Sequence, residues 1–159
     1  MLIRLLERTQ TTIGILFLIV FFITIVYQVI TRFIGVSAIW TGEVATYSFI
    51  WAVFMGASVM LNRREHFQFD LLLKKLKGKG KSSLTLVNDV IILGFSSAIT
   101  VFGAQAMINF WNYNWVSIPQ LKMGYVWIAV PIMGLTMSIY TLNHIIQNLK
   151  HFSGKEVQQ

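Results

Sequence analysis

Between Gly14 and Ile30 the chain reads GILFLIVFFITIVYQVI, a run without a single charge. An α-helix needs about 20 mostly apolar residues to cross the hydrocarbon of a bilayer. With its flanks this stretch supplies them, from about residue 10 to 31. Arg4 and Arg8 ahead of it imitate a secretory leader. The apolar run nevertheless exceeds the usual leader core of about 7–15 residues, and it ends in Gln28-Val29-Ile30-Thr31-Arg32 without a small-residue cleavage site. It reads as a retained membrane anchor.

Three more stretches read the same way. VATYSFIWAVFMGASVML occupies Val44 to Leu61, a longer run starts near Leu84, and another extends from Met123 to Leu149. The third outlasts one crossing, and its far end, Asn109-Phe110-Trp111-Asn112-Tyr113-Asn114-Trp115, mixes amides with aromatics in the manner of a membrane–water boundary. The spans are therefore set at about 10–31, 43–62, 84–109 and 123–149. This predicts an all-α membrane protein with four transmembrane helices, a single integral domain over residues 1–159.

Composition agrees with that reading. Of 159 residues 55% are hydrophobic and only 12% charged, where a soluble domain carries roughly a quarter charged. Mean hydropathy is +0.65. The absence of cysteine excludes disulfides, thiol catalysis, iron–sulfur ligation and cysteine-type zinc sites.

Charge placement sets the orientation. Eleven of the thirteen Lys and Arg residues lie before span one, between spans two and three, or after span four; Arg32 and Lys122 are the two exceptions. By the positive-inside rule both termini and the central loop face the cytoplasm. The net charge of +7 is thus a topology signal rather than a nucleic-acid surface. Within the central loop Phe69, Leu72, Leu73 and Leu76 follow helical spacing, while Asp70, Lys74 and Lys77 gather on another face. A short interfacial amphipathic helix over about 66–77 is expected between the second and third spans, its lysines toward lipid headgroups. Gly78-Lys79-Gly80-Lys81 ends it, and Ser82 or Ser83 caps span three.

Ionisable groups deep in a membrane are rare without a task, and the mid-span regions here hold none. Glu43 falls in the first turn of span two, where it complements the helix dipole, meets a partner or pairs with Arg32; Thr41 is the expected N-cap. Asp89 lies deeper, in span three, and with Asn88 suits hydrogen bonding between helices or subunits. His144 reads as an interfacial or capping histidine. Small residues recur at four-residue spacing: Ser48, Ala52 and Gly56 on span two, Gly94 and Ala98 on span three, Gly134 and Ser138 on span four. Such stripes let helices approach closely in lipid, either inside the chain or against another protein. Pro131 is expected to kink span four and Trp127 to anchor it at the interface. No nucleotide loop, catalytic triad or metal box is present in the sequence, so neither a catalytic or substrate-binding residue nor a cofactor is assigned.

The order of landmarks carries a resemblance. Tyr27-Gln28-Val29-Ile30-Thr31-Arg32-Phe33, Trp40-Thr41-Gly42-Glu43, Phe49-Ile50-Trp51-Ala52-Val53-Phe54-Met55-Gly56-Ala57, Arg63-Arg64-Glu65-His66-Phe67-Gln68-Phe69-Asp70, Ser117-Ile118-Pro119 and Pro131-Ile132-Met133-Gly134 follow one another at the span boundaries. In this order they resemble the small, DctQ-like membrane subunit of tripartite ATP-independent periplasmic (TRAP) transporters. The resemblance covers nearly the whole chain. Two departures stand out: Gly42-Glu43 followed by Thr46 where relatives commonly carry two carboxylates and then an arginine, and no proline near Met123-Gly124.

The resemblance implies a non-enzymatic scaffold in the bacterial inner membrane. Its implied partners are a large membrane transport subunit and, transiently, a periplasmic substrate-binding protein, in sodium-driven import of an organic anion such as a C4-dicarboxylate or sialic acid. The partner-facing candidates are Trp40, Glu43, Ser48, Ala52, Gly56, His66, Asp70 and Asp89. A self-contained four-helix exporter, which would need an acid within span one, and a non-catalytic assembly protein are the competing readings. The topology is directly testable because the chain has no native cysteine. A cysteine at position 79 should react with a membrane-impermeant maleimide only from the cytoplasmic side, and one at position 37 only from the periplasmic side.

Overall fold

The structure, a computed structural model, describes residues 2–64 and 79–154. The expected amphipathic helix over 66–77 lies outside them, with Phe69, Leu72, Leu73, Leu76, Lys74 and Lys77, as do His66 and Asp70. The described chain is helical throughout its length apart from short connections: α1 Leu2–Phe33, α2 Trp40–Asn62, α3 Lys79–Phe110, α4 Gly124–Trp127 and α5 Ala129–Gly154. Four helical stretches are long and apolar enough to cross a membrane, with α4 and α5 together supplying the fourth. Helices begin earlier and end later than the apolar runs because hydrogen bonding continues past the hydrocarbon boundary once the first turns exist. Ser82 accordingly sits inside α3 rather than capping it, exchanging hydrogen bonds with Asn148 of α5 at 2.7 and 3.3 Å.

Threonines inside α1 cost little in lipid. Thr9, Thr11, Thr12, Thr24 and Thr31 each donate to the carbonyl four residues earlier, at 2.7–3.0 Å. The fourth span runs on through Ile128, whose backbone keeps helical angles; its N–H reaches Gly124 O at 3.0 Å and its carbonyl accepts from Ile132 N–H at 3.3 Å. Pro131 lacks the N–H that would bond the Trp127 carbonyl, so one helical bond is lost one turn ahead of the proline.

The helices pack as a row. α1 lies along α2, α2 along α5, and α5 along α3. Among the described residues the outer pair, α1 and α3, do not lie along each other, so the four spans form an open row. Exposure follows from this order: 11% of the most apolar window is buried in α1 and in α3, against 39% and 44% in the inner two spans.

Within the α3–α5 contact, close approach falls at two glycines. A Cβ at Gly134 would lie 2.6 Å from Thr100 Oγ1, 2.7 Å from Thr100 N and 2.9 Å from Ser96 O; one at Gly103 would meet Val130 and Pro131. Ser96 and Ser138 share a hydrogen bond of 2.9 Å beside them. The Gly134/Ser138 stripe is therefore used inside the chain, but its counterpart on α3 is Ser96, Thr100 and Gly103. Gly94, expected on that seam, has nothing within 4 Å of a built Cβ. A two-residue offset turns a helix by about 200°, which places Gly94 on the far side.

Gly134→Ala should be destabilising by about 1–3 kcal/mol, since the obstructing atoms include backbone that cannot rotate away. Gly94→Ala should be neutral or stabilising by up to about 1 kcal/mol, since alanine is the better helix former and its Cβ meets open space. Thermal unfolding of both variants in the same detergent distinguishes these outcomes.

Candidate functional site

Polar side chains gather at three levels. The first is the end of the row that carries both termini. There α2 finishes at Asn62, and Arg64 adopts φ 56°, a left-handed value that costs a non-glycine residue about 1–2 kcal/mol. Its N–H still reaches the Leu61 carbonyl at 3.0 Å. This turn sends two consecutive arginines in different directions. Arg63 Nε donates to Glu7 of α1 at 2.7 Å, and the same carboxylate accepts from Asn62 Nδ2 at 2.9 Å. Arg64 donates to Asp89 of α3 at 3.2 Å. The arginine pair thus connects the end of the α2 helix to both outer helices.

Asp89 is 3% exposed. A buried carboxylate needs a counter-charge, and Arg64 provides it, where the sequence suggested a bond involving Asn88. His144 of α5 lies 3.1 Å from the Asn62 carbonyl. That carbonyl belongs to the last turn of α2 and lacks an intrahelical donor, so Nε2 carries the hydrogen and donates. His144 is a capping histidine, as expected, but for α2 rather than for its own helix.

The second level lies a turn deeper. Gln10 Nε2 donates to Thr136 Oγ1 at 2.9 Å, and the Tyr140 hydroxyl donates to Gln10 Oε1 at 2.6 Å. Thr136 and Ser58 hydroxyls are 3.2 Å apart. All four residues are buried, and the cluster joins α1, α2 and α5. Sequence reasoning passed over Gln10 and Glu7. The available signal was their three-residue spacing at the start of an apolar run, which puts both on one helix face.

At the third level, the opposite end, the connection from α3 to α4 is a tight, ordered loop. Asn114 and Lys122 form an isolated antiparallel bridge, Trp115 N–H reaches Leu121 O at 2.9 Å, and Met123 N–H reaches Tyr113 O at 2.7 Å. Both carboxylate oxygens of Glu43 hold this loop, accepting from the Val116 and Ser117 N–H groups at 2.8 and 2.7 Å. Glu43 is therefore committed to the loop rather than paired with Arg32. Tyr47 packs edge-on against Trp115 at 4.5 Å, and Trp51 Nε1 donates to Tyr125 O at 3.0 Å. The result displays Val116, 89% exposed. Thr41 is not the N-cap: α2 starts at Trp40, and the Thr41 hydroxyl donates to Ala38 O at 2.6 Å.

The remaining small-residue candidates separate. Ser48 is buried. Gly14 of α1 sits against Met55, Ala52 and Gly56 of α2, with its built Cβ 3.3 Å from Met55 Cβ. Gly56 itself has nothing within 4 Å of an added Cβ. With Ala52, Val53, Phe49, Ile15 and Leu18 it lines an open groove of about 270 Å³ between α1 and α2. Trp40 is partly exposed and packs on Tyr27 at 5.6 Å. Among the described residues no group of three His, Asp or Glu side chains could hold a metal ion.

Four apolar spanning helices fastened by polar contacts at both ends define a multi-pass membrane protein. The family model of tripartite ATP-independent periplasmic transporters, DctQ component, matches residues 8–151, and the chain belongs to this family of transporter components. A Haemophilus influenzae protein assigned as a TRAP transporter small permease is 26% identical over 109 residues, which is 69% of this chain and 67% of that relative.

The Arg64–Asp89 pair makes an asymmetric prediction. Arg64→Ala leaves a carboxylate buried without a counter-charge and should cost about 3–5 kcal/mol. Asp89→Ala leaves a guanidinium whose side chain is 34% exposed and can reach water, so about 1–3 kcal/mol is expected. Chemical denaturation of both variants and of the double variant in detergent should show that order, with the double variant more stable than Arg64→Ala.

Proposed function

We propose that this chain is the non-catalytic scaffold subunit of a sodium-driven, binding-protein-dependent importer of an organic anion. In this reading it holds a separate large transport subunit in the inner membrane, with both termini cytoplasmic and the Val116 loop periplasmic. The supporting observation is the open row. A chain whose two outer spans bury only 11% of their most apolar windows leaves broad apolar faces for lipid or a partner helix. The two described ion pairs, Arg63–Glu7 and Arg64–Asp89, lie at one end of the row and tie helices to each other. A solute path would instead present unpaired polar groups at the membrane midplane.

Two surfaces suit the proposed partners. The groove at Ala52 and Gly56 admits a bulky side chain from a neighbouring transmembrane helix, because the missing Gly56 side chain leaves space rather than a packed contact. The Glu43-held loop presents an apolar tip at Val116, in this reading on the periplasmic side, where a soluble binding protein would pass.

Proteoliposomes test the division of labour. Uptake should require this chain, the large subunit, the binding protein and an inward sodium gradient together. Gly56→Leu should leave this chain folded yet reduce recovery of the large subunit in affinity co-purification. Uptake by this chain alone would overturn the scaffold assignment in favour of a self-contained transporter. Full uptake without it would leave the scaffold no necessary task.

A further inference from the structure

We infer that the outward face of α3 is an interface between two copies of this chain, on which a second copy lays its own α3 in parallel so that the two Gln105 carboxamides bond each other. The inference uses the membrane spans and the order of the row, and it is independent of the scaffold reading.

Gln105 carries the argument. Its side chain is exposed and makes no hydrogen bond among the described residues. Its depth follows from packing. Gly103, two residues earlier, lies against Val130 and Pro131 of α5, and the Met133 carbonyl, just beyond them, faces the Ser58 hydroxyl of α2 at 3.5 Å. Gln105 is thereby level with the middle turns of α2, well inside that span. Lipid tails offer an amide neither donor nor acceptor, and an amide without partners in hydrocarbon is strongly unfavourable. A single amide on the outside of the row lines no path through the chain. What it lacks is a hydrogen-bonding partner on another chain.

The surroundings of the amide decide which partner. Ile91, Gly94, Ala98, Val101, Gln105 and Ile108 are spaced alternately three and four residues apart, the repeat of a two-helix seam, and they share a sector of about 100°. Ser96, Thr100 and Gly103, which meet α5, lie on the opposite side. Ile91, Val101 and Ile108 are 55–67% exposed, so the chain itself leaves the seam uncovered. Gly94 and Ala98 in its middle let two backbones approach closely enough for side chains at 105 to touch.

A second copy with the same topology runs its α3 parallel to the first, and a two-fold axis along the membrane normal sets each seam residue opposite its equivalent. A carboxamide holds both an acceptor oxygen and donor N–H groups, so two facing Gln105 side chains satisfy each other. One polar pair in an otherwise apolar seam also fixes the register. The dimer extends the row at its α3 end and leaves the groove at Ala52 and Gly56 free at the other.

Photo-cross-linking in membranes that also contain the large subunit tests the interface, with benzoylphenylalanine replacing Val101 of the full chain. The expected adduct has twice the mass of this chain. The same probe replacing Ile19, on an exposed face of α1, should give no such adduct. In lipid vesicles of defined protein-to-lipid ratio, energy transfer between dye-labelled chains should report a dimer whose dissociation constant rises about tenfold in Gln105→Leu and less in Gln105→Asn, which keeps the amide. Gly94→Leu should weaken it as well, and since a Cβ at Gly94 meets nothing within 4 Å inside the chain, this variant still folds and decides the matter if Gln105→Leu does not.

An adduct of the Val101 probe with the large subunit, or with lipid alone, would overturn the assignment to a second copy. So would equal self-adducts from the Ile19 and Val101 probes, which would mean random collision. A chain that stays monomeric at every protein-to-lipid ratio, or a dimer indifferent to both Gln105→Leu and Gly94→Leu, would overturn it too.

Discussion

A carboxamide in hydrocarbon must find partners or forfeit the hydrogen bonds it makes with water, and Gln10 is the residue through which this constraint shapes the molecule. It bonds Thr136 and Tyr140 on α5 while its own helix lies along α2. Hydrophobic packing alone would let α1 slide or rotate, since lipid tails are as apolar as a helix surface. The amide removes that freedom. Once its two ends are satisfied, the position of α1 against α5 is fixed, Glu7 one turn earlier is presented to Asn62 and Arg63, and Gly14 one turn later comes against Met55.

The other outer helix is held by a different device. Between α3 and α5 contact is steric, with no room for a Cβ at Gly103 or Gly134, and it is reinforced by the Ser96–Ser138 and Ser82–Asn148 hydrogen bonds. The strained Arg64 connects this second pair of helices to the first by reaching Asp89. The two fastenings hold an open row whose outer surfaces remain apolar. The faces not needed for the chain's own fold therefore stay exposed.

The end of the row opposite the termini follows the same logic with backbone groups. Loop N–H groups at Val116 and Ser117 would lose their hydrogen bonds near a membrane surface, and Glu43 accepts both. The acid that looked like a helix-dipole residue or a partner contact therefore works inside the chain.

How much of this was legible in the sequence depended on the range of the interaction. Spans came from uncharged runs such as Gly14–Ile30, since hydrocarbon thickness fixes helix length and each helix satisfies its own backbone. The DctQ-like resemblance, carried by landmarks from Tyr27 to Gly134, was likewise a property of local order and agreed with the family found over residues 8–151. The choice between an open row and a closed bundle was not legible, nor was the use of Ser96, Thr100 and Gly103 in place of Gly94. Nor did the sequence reveal that Asp89 meets Arg64, 25 residues away, or that Glu43 holds a loop more than 70 residues on. Small-residue spacing identifies a stripe but not the helix that occupies it, and a carboxylate has no local preference among distant donors. The sequence determined which segments enter the membrane; the tertiary structure alone decided which faces meet, because helix pairing in lipid depends on close steric fit and on polar partners far apart along the chain.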